Sequence, residues 1–162
     1  MSIIIDTGVF YALLDRGDIN HLDALAIMVH TLDGRFGKAF TTDYIVLETT
    51  LLLKARIGVD AVKAILGFLE ESGITVIVID EVTFRKSLKI LLKNPEILSL
   101  CDAATLSLIE ELNIETLATF DLRSFSSYTV NIVGKGYFST LNKEEKERIR
   151  NLLQFKRGTG CR

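Results

Sequence analysis

The sequence predicts an α/β fold in three layers, α/β/α, around a mostly parallel central sheet of about five strands, and three observations carry that prediction. Apolar runs without alternation, such as Ile3-Ile4-Ile5 and the TVIVI run from Thr75 to Ile79, read as strands buried on both faces. Single or paired amphipathic stretches of helix length separate the strand candidates, an alternation that builds a parallel sheet with helices on both sides. No repeat and no internal linker divides the chain, and 162 residues suffice for one core without disulfides or structural metal.

Ile3 to Ile5 is the first strand and ends directly at Asp6, which can cap the short helix expected over Thr7 to Leu14. A polar loop leads to an amphipathic helix over His21 to Leu32, closed by Asp33-Gly34, on which His21 and His30 read as surface or cap residues. Lys38 to Thr41 is a brief strand, and Thr42-Asp43 caps the next helix, YIVLETTLLLKARIG. Asp60 to Ser72 is amphipathic and stops at Gly73. TVIVI follows as a buried strand, and Asp80 opens a helix that Asn94-Pro95 ends. Ser99 to Leu112 forms a helix stopped by Asn113, with Ser99 and Asp102 spaced as a capping box. Thr116 to Thr119 is a short strand that stops at Asp121, and Thr129 to Val133 is the last strand, after which Gly134 and Gly136 loosen the chain.

The predicted organisation is one domain over residues 1–140 and a basic tail over 141–162, weakly helical or disordered. Met1 to Asn142 holds 12 basic and 18 acidic residues, whereas Lys143 to Arg162 holds 7 and 3, so a net +4 segment follows a net −6 body. Its apolar anchors are Ile149, Leu152, Leu153 and Phe155, which predicts a marginal helix contributing more to contact with nucleic acid or a partner than to folding. The composition is 48% hydrophobic, yet no apolar run reaches the roughly 18 residues of a membrane helix, and MSIIID lacks the features of a signal peptide. A cytoplasmic protein is expected. Cys101 and Cys161 match no metal spacing and read as a small core residue and a tail thiol.

Four carboxylates depart from simple packing. Asp6 and Asp121 follow strands, at the sheet edge where open α/β folds keep their ligand sites. Asp102 lies in the first turn of a helix. Glu48 has Tyr44, Ile45, Leu51 and Leu52 three and four positions away, which places its carboxylate within the apolar face of its helix. An unpaired buried carboxylate costs several kcal/mol, so Glu48 needs an ion pair, a metal or a catalytic role. Carboxylates about 5 Å apart repel by about 3 kcal/mol at an effective dielectric of about 20, so four of them at one edge call for cations. Oxygen donors without histidine or cysteine favour Mg²⁺ or Mn²⁺ over Zn²⁺, and such ions suit phosphodiester hydrolysis. Each aspartate also has an ordinary explanation as a helix cap or turn residue.

IIIDTGVFYALLDRGDINH, TTDYIVLETTLLL, SLCDAATLSLIEELNI and LATFDLRSF together resemble the successive motifs of PIN-domain ribonucleases of the VapC toxin type, over about Ile3 to Val133. The resemblance implies an acidic quartet of Asp6, Glu48, Asp102 and Asp121 that ligates metal and catalyses, with Thr119 as the hydroxyl residue two before the last acid. It implies a Mg²⁺- or Mn²⁺-dependent endoribonuclease with an RNA substrate, often a homodimer and often inhibited by a small antitoxin. The tail after Gly136 is longer than in the usual toxin. Other readings are an RNA-maturation nuclease of the same fold without antitoxin, a non-catalytic RNA- or protein-binding domain, and a receiver-like domain. Against the receiver stand the lack of an Asp-x-Asp pair at Asp6 and of a lysine at the expected place after a late strand. Asp80 has no counterpart among the family's acids and reads as a cap.

Overall fold

The computed structural model describes residues 1–155, with side chains through Leu153. Its elements in chain order are β1 (Ser2–Ile5), α1 (Thr7–Leu14), α2 (His21–Leu32), β2 (Lys38–Thr42), α3 (Asp43–Arg56), α4 (Val59–Glu71) and β3 (Thr75–Ile77). Then follow α5 (Glu81–Lys93), α6 (Leu100–Leu112), β4 (Thr116–Ala118), α7 (Leu122–Phe125), β5 (Asn131–Val133), α8 (Tyr137–Thr140) and α9 (Lys143–Phe155). The five strands form one sheet in the order β3-β2-β1-β4-β5, and every neighbouring pair is parallel.

β1 is the centre of the sheet, and its three isoleucines are fully buried. Because side chains alternate along a strand, Ile3 and Ile5 enter one layer with Val9, Phe10, Ile27, Ile45, Leu53 and Ile65 from α1 to α4. Ile4 enters the opposite layer with Leu98, Leu106, Leu117 and Phe125. The unalternating apolar run is thus explained by burial on both faces, and the three-layer expectation holds.

The TVIVI run is not buried as expected. Only Thr75–Ile77 is strand, and it lies at the sheet edge, leaving Val76 and Val78 exposed, the latter by 73%. β5 likewise begins at Asn131, two residues later than the periodicity implies. His21 and His30 are buried, not surface residues: His21 Nδ1 donates to the Ala12 carbonyl at 2.7 Å, and His30 Nδ1 meets the Tyr137 hydroxyl at 2.8 Å.

The tail differs from expectation as well. α9 begins on a capping box, with Asn142 Oδ1 accepting the Glu145 amide at 2.9 Å and Glu145 Oε2 accepting the Asn142 amide at 3.2 Å. Ile149 is 1% exposed and packs with Ala26 of α2, Phe138 and Leu141. Arg148 forks on to Asp33 at 2.6 and 3.0 Å, and Arg35 meets Glu145 at 2.9 Å, so α9 is seated on α2. The Cys161 thiol and the disorder expected for the last residues lie outside the described residues. No described helix is long and apolar enough to cross a membrane.

Candidate active site

With all strands parallel, their carboxyl ends share one edge. The chain leaves β1 towards β2 and β3, then returns beyond β1 as β4 and β5, so the topological switch point lies between β1 and β4. Asp6 is the first residue after β1, and Asp121 stands three after β4. The Asp6 amide donates to the Ala118 carbonyl at 3.0 Å, which fixes the end of β1 against β4.

Thr119 joins the two aspartates. Its buried hydroxyl donates to Asp6 Oδ2 at 2.7 Å and accepts the Asp121 amide at 3.0 Å. Gly134 is what allows this corner to close, for a Cβ there would lie 2.0 Å from the Thr119 carbonyl oxygen. The expectation that Gly134 merely loosens the chain is therefore corrected to a close-packing role. Asp6 also caps α1, Oδ1 accepting the Thr7 amide at 2.8 Å.

Asp121 caps α7. Its Oδ1 accepts the amides of Arg123 and Ser124 at 3.0 and 3.2 Å, and its Oδ2 accepts the Ser124 hydroxyl at 2.6 Å. Asp102 forms the capping box that its spacing with Ser99 predicts: Asp102 Oδ2 accepts the Ser99 amide at 2.7 Å, and Ser99 Oγ accepts the Asp102 amide at 3.1 Å. Both carboxylates are thus engaged in capping.

Glu48 is the correction. The inward residues of α3 are Ile45, Thr49 and Leu53, while Leu47 and Leu51 are 60% and 62% exposed, so Glu48 is exposed on the flank of the helix and not buried in its apolar face. Its Oε2 accepts the hydroxyl of Thr7. Thr7 and Ser124, which hold Glu48 and Asp121, were missed in the sequence because a single Thr or Ser beside an acid is a common cap pattern. The Asp-x-x-Ser spacing of Asp121 to Ser124 is the one signal that could have found either.

Electrostatics draws the four acids into one group. Asp6 is pushed up to about 6, chiefly by burial; the Thr119 and Thr7 hydrogen bonds oppose that, and the charges of Asp102 and Glu48 add to it. Asp102 is raised by burial, against its hydrogen bonds from Ser99, with Asp121 and Glu48 raising it further. The Cys101 thiol is pushed far up by burial and by Glu48, Asp6 and Asp102, so it stays neutral. Among the described residues no lysine, arginine or histidine pairs with any of the four acids. Nor, among the described residues, do three acid, histidine or cysteine side chains stand close enough together to enclose one ion as they are oriented here. Asp80 is separate: it caps α5 through Thr83 at 2.8 Å, and that bond holds its carboxyl below the usual range.

Residues 3–130 match the family model for the PIN domain, and they contain Asp6, Glu48, Asp102, Thr119 and Asp121. The chain belongs to the PIN-domain family. It is 32% identical to a VapC ribonuclease of Archaeoglobus fulgidus over 158 residues, 96% of this chain and 97% of that one. That match runs well past Gly136, so the long C-terminal segment has a counterpart in this PIN relative. Ribonuclease VapC26 of Mycobacterium tuberculosis is 26% identical over 140 residues, covering 86% of this chain and 99% of that protein. The PIN fold is shared with the crystal structure of Mycobacterium tuberculosis VapC20, a sarcin-ricin loop cleaving toxin, at a TM-score of 0.70 and 20% identity, covering 81% and 98% of the two chains.

Proposed function

We propose that this PIN-domain protein is a divalent-metal-dependent endoribonuclease that hydrolyses RNA phosphodiester bonds, and that it is the toxin of a toxin-antitoxin pair. What supports the reading is that Asp6, Glu48, Asp102 and Asp121 act on one another electrostatically with no basic partner among the described residues, in a chain matched over 96% of its length by a VapC ribonuclease. Their donor set fits a hard ion, since it offers carboxylate oxygens alone, Cys101 stays neutral, and Asp6 and Asp102, raised chiefly by burial, are raised further by the other acids.

In this reading Asp6, Glu48, Asp102 and Asp121 would hold Mg²⁺ or Mn²⁺. When bound, the ion lowers the pKa of an attacking water and neutralises charge on the scissile phosphate. Thr119 keeps Asp6 and Asp121 in register, and the Thr7 and Thr119 hydrogen bonds favour the ionised Asp6 that a ligand must be.

An antitoxin with a basic segment is the partner that complements an acidic edge without counter-ions. A homodimer is supported by exposed apolar side chains: Leu47 and Leu51 on α3, Val76 on the edge strand β3 and Val78 just after it. The test is cleavage of RNA by the purified chain with Mn²⁺ or EDTA, beside growth of a host expressing it alone. Metal-dependent cleavage with growth arrest is expected. Cleavage without harm to the host would favour the RNA-maturation nuclease, and no cleavage with any divalent ion would favour the non-catalytic binding domain.

A further inference from the structure

We infer that Thr7 is a positioning residue that fixes Glu48 relative to Asp6, two acids carried by different elements; the inference rests on the metal-dependent nuclease reading above. Thr7 opens α1 and is buried, and its two donors reach two different acids. Its amide holds Asp6 Oδ1 at 2.8 Å, and its hydroxyl donates to Glu48 Oε2.

Three observations separate this from a residue that merely starts a helix. First, three buried hydroxyls within the longer helices turn back on their own backbone: Thr31 donates to Ile27, Ser87 to Thr83 and Thr105 to Cys101, each to the carbonyl four residues earlier. Thr7, in the first turn, sends its hydroxyl across to α3 instead. Second, the Thr7 hydroxyl donates to Glu48 Oε2 from a buried helix start, whereas the other group that reaches the Glu48 side chain, the Cys101 thiol, is a weak donor. Third, Glu48 is exposed on a helix flank, so packing does not set its rotamer; a glutamate has several to choose from, and ordering it costs free energy when a ligand binds. A β-branched donor with few rotamers of its own, rooted in the buried start of α1, removes that freedom beforehand. Asp6 and Glu48 then share one rigid reference point.

The test compares Thr7→Val, which keeps the shape and removes the hydroxyl, with Thr7→Ser, which keeps the hydroxyl. Binding of Mn²⁺ alone is measured by calorimetry, RNA cleavage by kcat and KM, and folding by metal-free melting. Thr7→Val is expected to melt within a few degrees of the parent, bind Mn²⁺ about 10-fold or more weakly, and lose kcat with little change in KM; Thr7→Ser is expected to restore both. In a Glu48→Gln background, Thr7→Val should cause no further loss of Mn²⁺ affinity, because the group it positions is gone. Mn²⁺ affinity and kcat equal to the parent in Thr7→Val, or losses that multiply in the double variant, would overturn the proposal. Should Thr7→Val not fold, Thr7→Ala carries the same readouts. A parent that neither binds Mn²⁺ nor cleaves RNA would overturn the nuclease reading and the proposal with it, a result distinct from a working parent indifferent to Thr7.

Discussion

The hydroxyl of Thr119 donates to Asp6 Oδ2 at 2.7 Å while accepting the Asp121 amide at 3.0 Å, so one buried threonine registers the acid after β1 against the acid after β4. Thr119→Val keeps the volume and leaves the Asp121 amide and one Asp6 oxygen without that partner. Metal affinity is expected to fall about 10- to 100-fold, the usual cost of losing a group that orients a ligand, with cleavage falling alongside. Calorimetry with Mn²⁺ checks it, and unchanged affinity would reduce Thr119 to a strand-end packing residue.

Asp6 gives a pH signature in the metal-free protein. Its pKa is raised from 3.8 to about 6, so the folded state binds more protons than the unfolded chain between those values. Stability from this group is therefore fully present below about 3.8 and is lost as pH rises through about 6. Asp6→Asn removes that dependence. The variant is expected to be more stable than the parent at pH 7.5, by at most about 3 kcal/mol before any loss of the Thr7 and Thr119 bonds, and to lose its advantage as pH falls to 4. Denaturant titrations across pH decide it; an advantage that grows on acidification would contradict the assigned cause.

How legible each element was follows from what its burial depends on. Ile3 to Ile5 could be read because both faces of β1 are covered, and burial then shows directly as composition. TVIVI has the same composition at the sheet edge, where half of it stays exposed, and nothing local distinguishes an edge from a centre. Glu48 was misplaced for a related reason: apolar neighbours three and four residues away define a face, but on α3 part of that face, Leu51, points outward. Asp6, Asp102 and Asp121 could be found because each stands at a strand end or helix start. The hydroxyl partner of Glu48 could not, since Thr7 and Glu48 are 41 positions apart and only the fold joins them.

α9 supplies a stability prediction opposite to the one its charge suggests. Ile149 is 1% exposed against Ala26, Phe138 and Leu141, so it behaves as core despite lying among charged residues. Ile149→Ala is expected to cost about 2–4 kcal/mol. Removal of residues 143–162 should lower the melting temperature clearly instead of leaving it unmoved. Loss of less than about 0.5 kcal/mol in Ile149→Ala would mean that α9 is detached from α2 in solution.

The last prediction separates the acidic edge from its look-alike. Asp6, Asp80, Asp102 and Asp121 all cap helices in the structure, so capping geometry alone ranks none of them above the others. What differs is the company each keeps. Asp102 lies in the field of Asp121 and Glu48, and Asp6 in that of Asp102 and Glu48, whereas the charge near Asp80 is Lys86 and its carboxyl is pulled below the usual range. An amide at Asp6, Glu48, Asp102 or Asp121 removes one repelling charge and one hard donor, so Mn²⁺-dependent RNA cleavage should fall by orders of magnitude while the metal-free fold persists. Saturating Mn²⁺ should raise the melting temperature of the parent by mass action and do so far less in those four variants. Asp80→Asn keeps an Ncap acceptor, so it should melt within a few degrees of the parent and retain both cleavage and the Mn²⁺ shift. Loss of cleavage in Asp80→Asn, or its retention in Asp102→Asn and Asp121→Asn, would mean that the reacting edge lies nearer β3 than the β1–β4 switch point.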